Sequence, residues 1–337
     1  MRIKREELLR QLETVAPGLA TKEIIEQSNC FIFQDGKVQT FNDEVGCSSE
    51  CCLKITGAVR AKPLLEMLRK LSEDQVAVEL KDGKLLVKGK RKRASFTMEE
   101  EVTLPVEGIE SPTEWNELPE GFIDGLGFVR LCASKDESQM VLCNVHLRPD
   151  GMEACDNFQV MYYPIKTGLT ESVLVRAEVL KDVIGLGMEE VSVVESWVHF
   201  RNSMGAMMSC RRCQDEYPKV GAILTVDGTP TVLPEGLESA VSKAEIFSSE
   251  DSEDNQVIVE LKPKRLMLIG VGPSGEYKEQ QKVEYDGREM EFRIAPKLLV
   301  EISKKGNQCE VAEGRLKVKT DRFTFVCCTG VVEEEDE

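Results

Sequence analysis

The sequence states one pattern three times, and this limits the fold more than any other property it has. "LPEGFIDGL" at 118–126 returns as "LPEGLESAV" at 233–241, 115 residues later. Leu8, Leu9 and Leu12 of "REELLRQL" stand where Phe122, Ile123 and Leu126 stand in the second copy, at an offset of 114. A second landmark recurs as "VRAKPLLEML" at 59–68, "VRAEVLKDVI" at 175–184 and "RIAPKLLVEI" at 293–302. Aligned on Ala61, Ala177 and Ala295, it has offsets of 116 and 118. A period this long exceeds any solenoid unit, so each copy is expected to be a small domain. The expected boundaries are 1–115, 116–228 and 229–332, followed by an acidic tail, 333–337, expected to be disordered.

Each copy reads as helix, strands, helix, strands. In the first, Leu8, Leu9, Leu12 and Val15 form the apolar stripe of an amphipathic helix over 6–15. "CFIFQDGKVQTF" at 30–41 predicts two strands about an Asp-Gly turn, and "QVAVELKDGKLLVKG" at 75–89 predicts another such pair. Between them 64–71 predicts a second helix, with Pro63 in its tolerated first turn, and "RASFTM" at 93–98 alternates as a further strand. The other copies repeat the plan with "HLRPDGMEAC", "EVSVVESWVHFRN" and "AMMSCRRC", then with "VIVELKPKRLMLIGV", "QCEVAEGRLKVKT" and "RFTFVCC". Two helices backing a strand-rich unit is an α+β plan. The stretches 102–120 and 225–235 read as linkers rich in Pro, Gly and acids, and 248–254 as a solvated acidic loop.

No apolar run reaches the 18 residues that a membrane-spanning helix needs, and the charged start "MRIKREELLRQL" lacks a leader's apolar core. A cytoplasmic protein with no membrane partner is expected. The twelve Cys do not follow the repeat, as a shared set of disulfides would. Cys30, Cys132, Cys143 and Cys309 sit in apolar contexts, where a thiol acts as a small hydrophobe.

The formal net charge is −17, which by itself argues against nucleic acid. The charge is unevenly placed, however. The helix-like segments 4–13, 60–70, 120–136, 176–182, 235–245 and 293–305 carry a slight excess of Lys and Arg, so the remainder is strongly acidic. Ordinary amphipathic helices would also give this pattern. The densest basic stretch is "KGKRKRAS" at 88–95, either a phosphate-contacting loop or a soluble hairpin tip.

Nothing in the sequence predicts catalysis, a metal or a cofactor. "CRRC" at 210–213 has the spacing of a zinc half-site, but no second CxxC exists, and His146 and His199 lack ligand spacing, so a strand-and-turn reading is preferred. "GVGPSG" at 270–275 lacks the Gly-Lys-Ser/Thr ending of a phosphate loop and reads as a hairpin turn. A hydrolase would need convergent carboxylates or histidines, and none stand out.

Taken with its local sequences, the threefold repeat resembles the bacterial DNA polymerase sliding clamp, the beta-clamp family. "REELLRQLETVAPGL", "VRAKPLLEMLRKL", "YPKVGAIL" at 217–224 and "FRIAPKLLVEI" at 292–302 carry the likeness, by order and spacing across nearly the whole chain. The resemblance implies an α+β fold of three DNA-clamp domains, two helices backing an antiparallel sheet in each. It implies a head-to-tail homodimer closing a six-domain ring, helices inward and sheets outward, without catalysis. The implied partners are double-stranded DNA, held topologically and without sequence preference, and a DNA polymerase and clamp loader that dock through short linear peptides. A ring or repeat scaffold binding only proteins is the alternative, and its mark would be helices without an excess of Lys and Arg.

By position in the family, Arg10, Lys22, Arg69 and the run Lys90, Arg91, Lys92, Arg93 are expected to face DNA. Arg130, Lys135, Arg176, Lys181, Lys243, Lys297, Lys304 and Lys305 are added from their helical placement. Aromatic DNA-contact positions of the family fall here on Met140 and Val141. The implied dimer seam joins Phe96 and Met98 at one end to Ile246 and Phe247 at the other. The implied peptide cleft is walled by Cys155, Asn157, Phe158, Val160, Pro218, Ile223, Val326, Cys327 and Cys328. A basic family position is replaced at Gln159 or Ala222, and the acidic tail adds charge beside the cleft, so a more basic or more apolar peptide is expected there.

Overall fold

The computed structural model describes residues 1–248, 256–306, 308–312 and 314–328. The first repeat contains β1 (Arg2–Lys4), α1 (Arg5–Val15), β2 (Cys30–Gln34), β3 (Lys37–Phe41), β4 (Val45–Glu50), β5 (Gly57–Arg60), α2 (Ala61–Lys70), β6 (Gln75–Lys81), β7 (Lys84–Lys88) and β8 (Arg93–Glu99). The second contains β9 (Asn116–Glu117), α3 (Phe122–Val129), β10 (Asn144–Arg148), β11 (Gly151–Cys155), β12 (Gln159–Pro164), β13 (Val173–Arg176), α4 (Ala177–Gly185), β14 (Glu190–Val193), β15 (Trp197–Arg201) and β16 (Met207–Arg211). The third contains β17 (Thr229–Val232), α5 (Leu237–Ser248), β18 (Val257–Lys262), β19 (Arg265–Gly272), β20 (Gly275–Lys282), β21 (Met290–Ile294), α6 (Pro296–Lys305), β22 (Gln308–Ala312), β23 (Arg315–Lys319) and β24 (Thr324–Cys328). Every repeat is therefore strand, helix, four strands, helix, three strands. The chain is α+β, and its strand pairs are antiparallel.

The local signals that place these elements are simple. Asp35-Gly36 and Asp82-Gly83 both take positive φ (50° and 75°, 51° and 66°), as the tight hairpin turns β2–β3 and β6–β7 require. Leu8, Leu12 and Val15 bury one side of α1, and Leu64, Leu65 and Leu68 one side of α2. Pro273 and Ser274 turn β19 into β20, as the hairpin reading of "GVGPSG" expects.

Two compact units emerge, and they cross the repeat boundaries: 1–123 with 168–214, and 124–167 with 215–337. The first unit carries one sheet in the order β1-β6-β7-β8-β5-β2-β3-β4-β16-β15-β14-β9. Its inner face meets α1, since the Thr40 hydroxyl donates to the Val15 carbonyl. On the outer face Cys30, Ile32, Phe41, Ala58 and Trp197 pack beneath Leu104, with Val102, Val106 and Ile109 partly buried beside them. In the second unit β10-β11-β12-β24-β23-β22-β17 form one sheet and β20-β19-β18-β21 another. There α5 lies directly on β19. A Cβ at Gly270 would stand 2.0 Å from the Ala244 carbonyl oxygen, and one at Gly272 1.8 Å from that of Phe247. Only glycine admits so close an approach.

Two expectations need correction. The stretch 225–235 is not simply a linker, because Thr229–Val232 forms β17 and pairs with β22. Pro230 is admissible there, since an edge strand can lack a ladder N–H. Likewise 102–120 contains β9 and a 3-10 turn over Val106–Gly108. Val45, Gly46 and Cys47 of β4 are all buried. Among the described residues no helix is long and apolar enough to cross a membrane.

Candidate functional site

The residues singled out by sequence fall on the helix faces, at the free sheet edges and around the expected peptide cleft on the second unit.

On the helices, Arg10 (α1), Arg69 (α2), Lys181 (α4), Lys243 (α5), Lys297 and Lys304 (α6) are exposed. Lys305 closes α6, and its side chain lies outside the described ones. Several of these cations have acidic neighbours. Arg69 meets Glu13 across α1 and α2 at 2.9 Å, Lys181 meets Glu178 at 3.3 Å and Lys243 meets Glu279 at 2.8 Å. Exposed pairs of this kind contribute little to stability, so they leave the cations available to a stronger anion.

The helical placement expected for three cations is corrected. Arg130 lies in a 3-10 turn after α3, Lys135 in the following loop, and Arg176 ends β13 as the residue before α4. The regular helix stops at Val129, and Asp136 then caps a separate 3-10 segment by accepting the Ser138 N–H at 2.9 Å. Lys22 is exposed in the segment between α1 and β2. The basic excess of the helix-like segments does not survive either: the six α-helices carry ten Lys and Arg against ten Asp and Glu. Six cations of those segments lie outside the helices: Lys4, Arg60 and Arg176 at helix N-caps, Arg130 and Lys135 after α3, and Arg293 on β21. A cation at an N-cap opposes the helix dipole. Arg60 is balanced by Glu23 at 3.4 Å and Arg176 by Glu44 at 3.0 Å.

The sheet edges follow a rule that periodicity does not reveal. The fourth strand of the first repeat, β4, pairs with the last strand of the second, β16 (Cys47 opposite Met208). The corresponding β12 pairs with β24, the last strand of the third (Val160 opposite Val326). The third copy of this strand, β20, is an edge. At the other end β8 meets β5 only through Ala58–Glu99 and Val59–Met98, which leaves Arg93–Thr97 without a ladder on that side among the described residues. The residues expected at a dimer seam lie at or beside these two edges, Phe96 and Met98 on β8 and Ile246 and Phe247 on α5. Phe96 is half-buried on β8, while Met98 is 5% exposed and packs against Gly57. Ile246 is 63% exposed, and Phe247 stacks on Tyr277 of β20 with ring centroids 6.2 Å apart. On that edge the Glu279 carboxyl accepts from Lys243, Tyr277 and Gln281, which holds it down at about 2.

The residues expected to wall the peptide cleft lie on β11, β12, the turn between them, β24 and the segment 217–224. Tyr217 fixes that segment: its hydroxyl accepts the Cys155 N–H at 2.9 Å, and its ring lies 5.0 Å from His146, whose Nδ1 meets Glu153 at 2.8 Å. Burial of both groups drives the Tyr217 hydroxyl and the Cys155 thiol above their ordinary ranges, so both stay neutral. Val220 and Val226 are buried, whereas Pro218 and Ile223 face outward. The Asp156 carboxylate accepts the N–H of Phe158 (2.7 Å) and of Gln159 (2.8 Å), closing the β11–β12 turn. The Phe158 carbonyl accepts the Cys328 N–H at 2.6 Å, so its backbone is tied while its ring stays 63% exposed. Cys155, Val160, Val326 and Cys327 are buried beneath, and Asn157 and Cys328 are exposed at the rim. Residues 333–337 lie outside the described residues. Sequence reasoning missed Tyr217 as the anchor, although a buried Tyr ordinarily needs a polar partner.

All twelve Cys are free, and no group of three or more His, Cys, Asp or Glu among the described residues has a metal-holding arrangement. Cys210 of "CRRC" is buried in β16, opposite Val45 of β4.

No family model matches the sequence, and no curated protein does. Solved structures match along nearly its full length. The DNA polymerase III beta subunit of Thermotoga maritima has a TM-score of 0.78 at 15% identity over 98% of this chain and 99% of its own. The DNA polymerase sliding clamp of Bacillus subtilis has 0.75 at 14% identity over 98% and 99%. The DNA polymerase III subunit beta of Pseudomonas aeruginosa has 0.74 at 15% identity over 98% and 100%. At this identity the likeness establishes the fold: the chain has the fold of the bacterial beta sliding clamps.

Proposed function

We propose that this chain, a bacterial beta-clamp in fold, works as a sliding clamp: two copies join head to tail, encircle duplex DNA and tether a polymerase. The observation that carries this reading is the accounting of sheet edges. Two of three equivalent joints, β4–β16 and β12–β24, are closed within the chain. The third would need β20 on one side and β8 on the other, and each leaves an edge open. An edge at each end, complementary but not identical, makes a heterologous contact, which closes a ring when the rotation permits. The repeat boundaries 1–115, 116–228 and 229–332 are then the domains of the ring, three per copy. The seam forms around Phe96, Ile246 and Phe247, with Met98 beneath.

Duplex held topologically needs only weak phosphate contacts, and sliding requires that no base be read. Arg10, Arg69, Lys181, Lys243, Lys297 and Lys304 are suited to such contacts. The groove at Phe158, Pro218 and Ile223 takes an extended peptide with apolar anchors from the polymerase or the clamp loader. The assembly has no catalytic role and works in the cytoplasm.

One observation favours the rival reading, a ring that binds only proteins: the α-helices carry no net positive charge. Light scattering combined with DNA retention separates the two. A clamp gives twice 37.7 kDa and stays on closed circular DNA while running off the same DNA once linearised. A dimer that holds neither form supports the protein-only ring.

A further inference from the structure

The outer face of the sheet's first end is basic, in a chain whose net charge is −17. Strand register and burial fix which side chains share that face. Ile3, Val76, Val78, Leu85, Val87 and Met98 are buried on the side of α1 and α2. The alternate positions point the other way. Arg2 is opposite Ala77, Ala77 opposite Lys88, and Lys88 opposite Arg93, which makes one row across β1, β6, β7 and β8. Lys81 and Lys84 are opposite each other in another row, and Lys4 follows Arg2 on the same side of β1. Arg2, Lys4, Lys81, Lys84 and Arg93 are exposed, whereas Lys92 of the Lys90–Lys92 turn reaches Glu73 at 3.3 Å, after α2.

The two acids at outward strand positions are already engaged. Glu79 pairs with Lys88, and Glu99 accepts from the Gln27 amide at 2.8 Å. None of the outward positions is an exposed apolar or aromatic side chain: Leu86 is 3% exposed, and the others are polar or Ala77. Three strand spacings separate Arg2 from Arg93, about 14 Å, and Lys84 to Lys88 spans about 13 Å.

We infer that this face is a second nucleic-acid contact, on the side of the sheet away from the helices, and that it takes duplex DNA through its phosphates. An array of point charges without an apolar anchor suits a phosphate backbone better than an acidic peptide, whose affinity rests on buried anchors. Without aromatic side chains it offers no stacking platform for single-stranded bases. Duplex carries one charge per about 1.7 Å of axis, so it releases more counterions on contact. The face would hold a flanking duplex against the outside of the protein, whether or not another duplex passes through a ring.

The test uses the full chain with three exposed residues changed together, Arg2→Gln, Lys81→Gln and Lys84→Gln. A companion variant carries Arg10→Gln, Arg69→Gln and Lys297→Gln on the helices. Binding of a short linear duplex is followed by fluorescence anisotropy across a salt series, beside retention on closed circular DNA. The outer variant should bind the linear duplex at least tenfold more weakly, with its salt slope reduced by about 3, and should keep wild-type retention on circles. Unchanged linear-duplex affinity in the outer variant overturns the inference, as does a loss confined to the helix variant. Tighter wild-type binding of a single strand of equal length, or of a poly-glutamate peptide, overturns the choice of duplex. Failure of retention on circles in wild type would remove the clamp reading and leave this one standing.

Discussion

The Tyr217 hydroxyl accepts the backbone N–H of Cys155 at 2.9 Å and so ties the segment 217–224 to β11. Tyr217→Phe keeps the ring against His146 but leaves a buried N–H unpaired. The expected cost is about 1–3 kcal/mol of stability, read by denaturant melts. Peptide affinity should fall with it, since Pro218 and Ile223 lose their fixed position.

Phe158 is the more informative groove variant, because its ring is exposed while Val326 is buried in the sheet. Phe158→Asp should leave the melt unchanged and weaken a cognate polymerase peptide at least tenfold, about 1.4 kcal/mol. Equal affinity in a calorimetric titration would remove Phe158 from the groove. Val326→Asp is expected to unfold the second unit instead.

At the seam, Ile246→Ala with Phe247→Ala should yield a folded monomer by light scattering. Phe247 also stacks on Tyr277, so Ile246→Ala alone separates a lost interface from lost packing. A dimer that persists in both variants speaks against this seam.

Charge reversal of Arg10, Arg69 and Lys297 to Glu should shorten the lifetime on circular DNA without changing the dimer mass. These residues lie on α1, α2 and α6 and are exposed, so the fold should tolerate the change. Unaltered retention would mean that these helix faces do not meet DNA.

His199 gives the first unit a defined acid sensitivity. It is fully buried beside Ser209 (2.8 Å), and burial depresses its pKa to about 4. The unfolded chain therefore takes a proton near pH 6.5 that the folded chain refuses until about pH 4. Stability is complete above pH 6.5 and falls as the pH drops through that window, by up to about 3 kcal/mol. His199→Gln should lose most of this slope between pH 7 and 4.5 in melting experiments, even if its stability at pH 7 is lower.

The repeat was legible because its landmarks are the buried faces of helices, whose spacing is fixed by packing. Leu8, Leu12, Leu64 and Leu68 are all fully buried. The hairpins at Asp35-Gly36 and Asp82-Gly83 were legible because that turn geometry admits few residues. What stayed hidden depends on contacts far apart in sequence. Strand β4 becomes interior only because β16, more than 150 residues later, pairs with it. The contacts around the expected cleft were hidden for the same reason: the hydrogen bonds from Cys155 to Tyr217 and from Cys328 to Phe158 leave no local pattern. The helix charges were misjudged because Arg60 and Arg176 fall one residue outside their helices, a boundary that sequence fixes no better than to a few residues.

The open edge of β20 also separates two kinds of joint by effective concentration. At β4–β16 and β12–β24 both strands belong to one polypeptide, so each meets its partner at a local concentration set by the chain, in the millimolar range for short flexible connections. In the proposed dimer, a strand that meets β20 from another copy is present only at the bulk concentration of the protein. Dilution therefore acts on that joint alone, and the other two stay closed at any concentration where the chain remains folded.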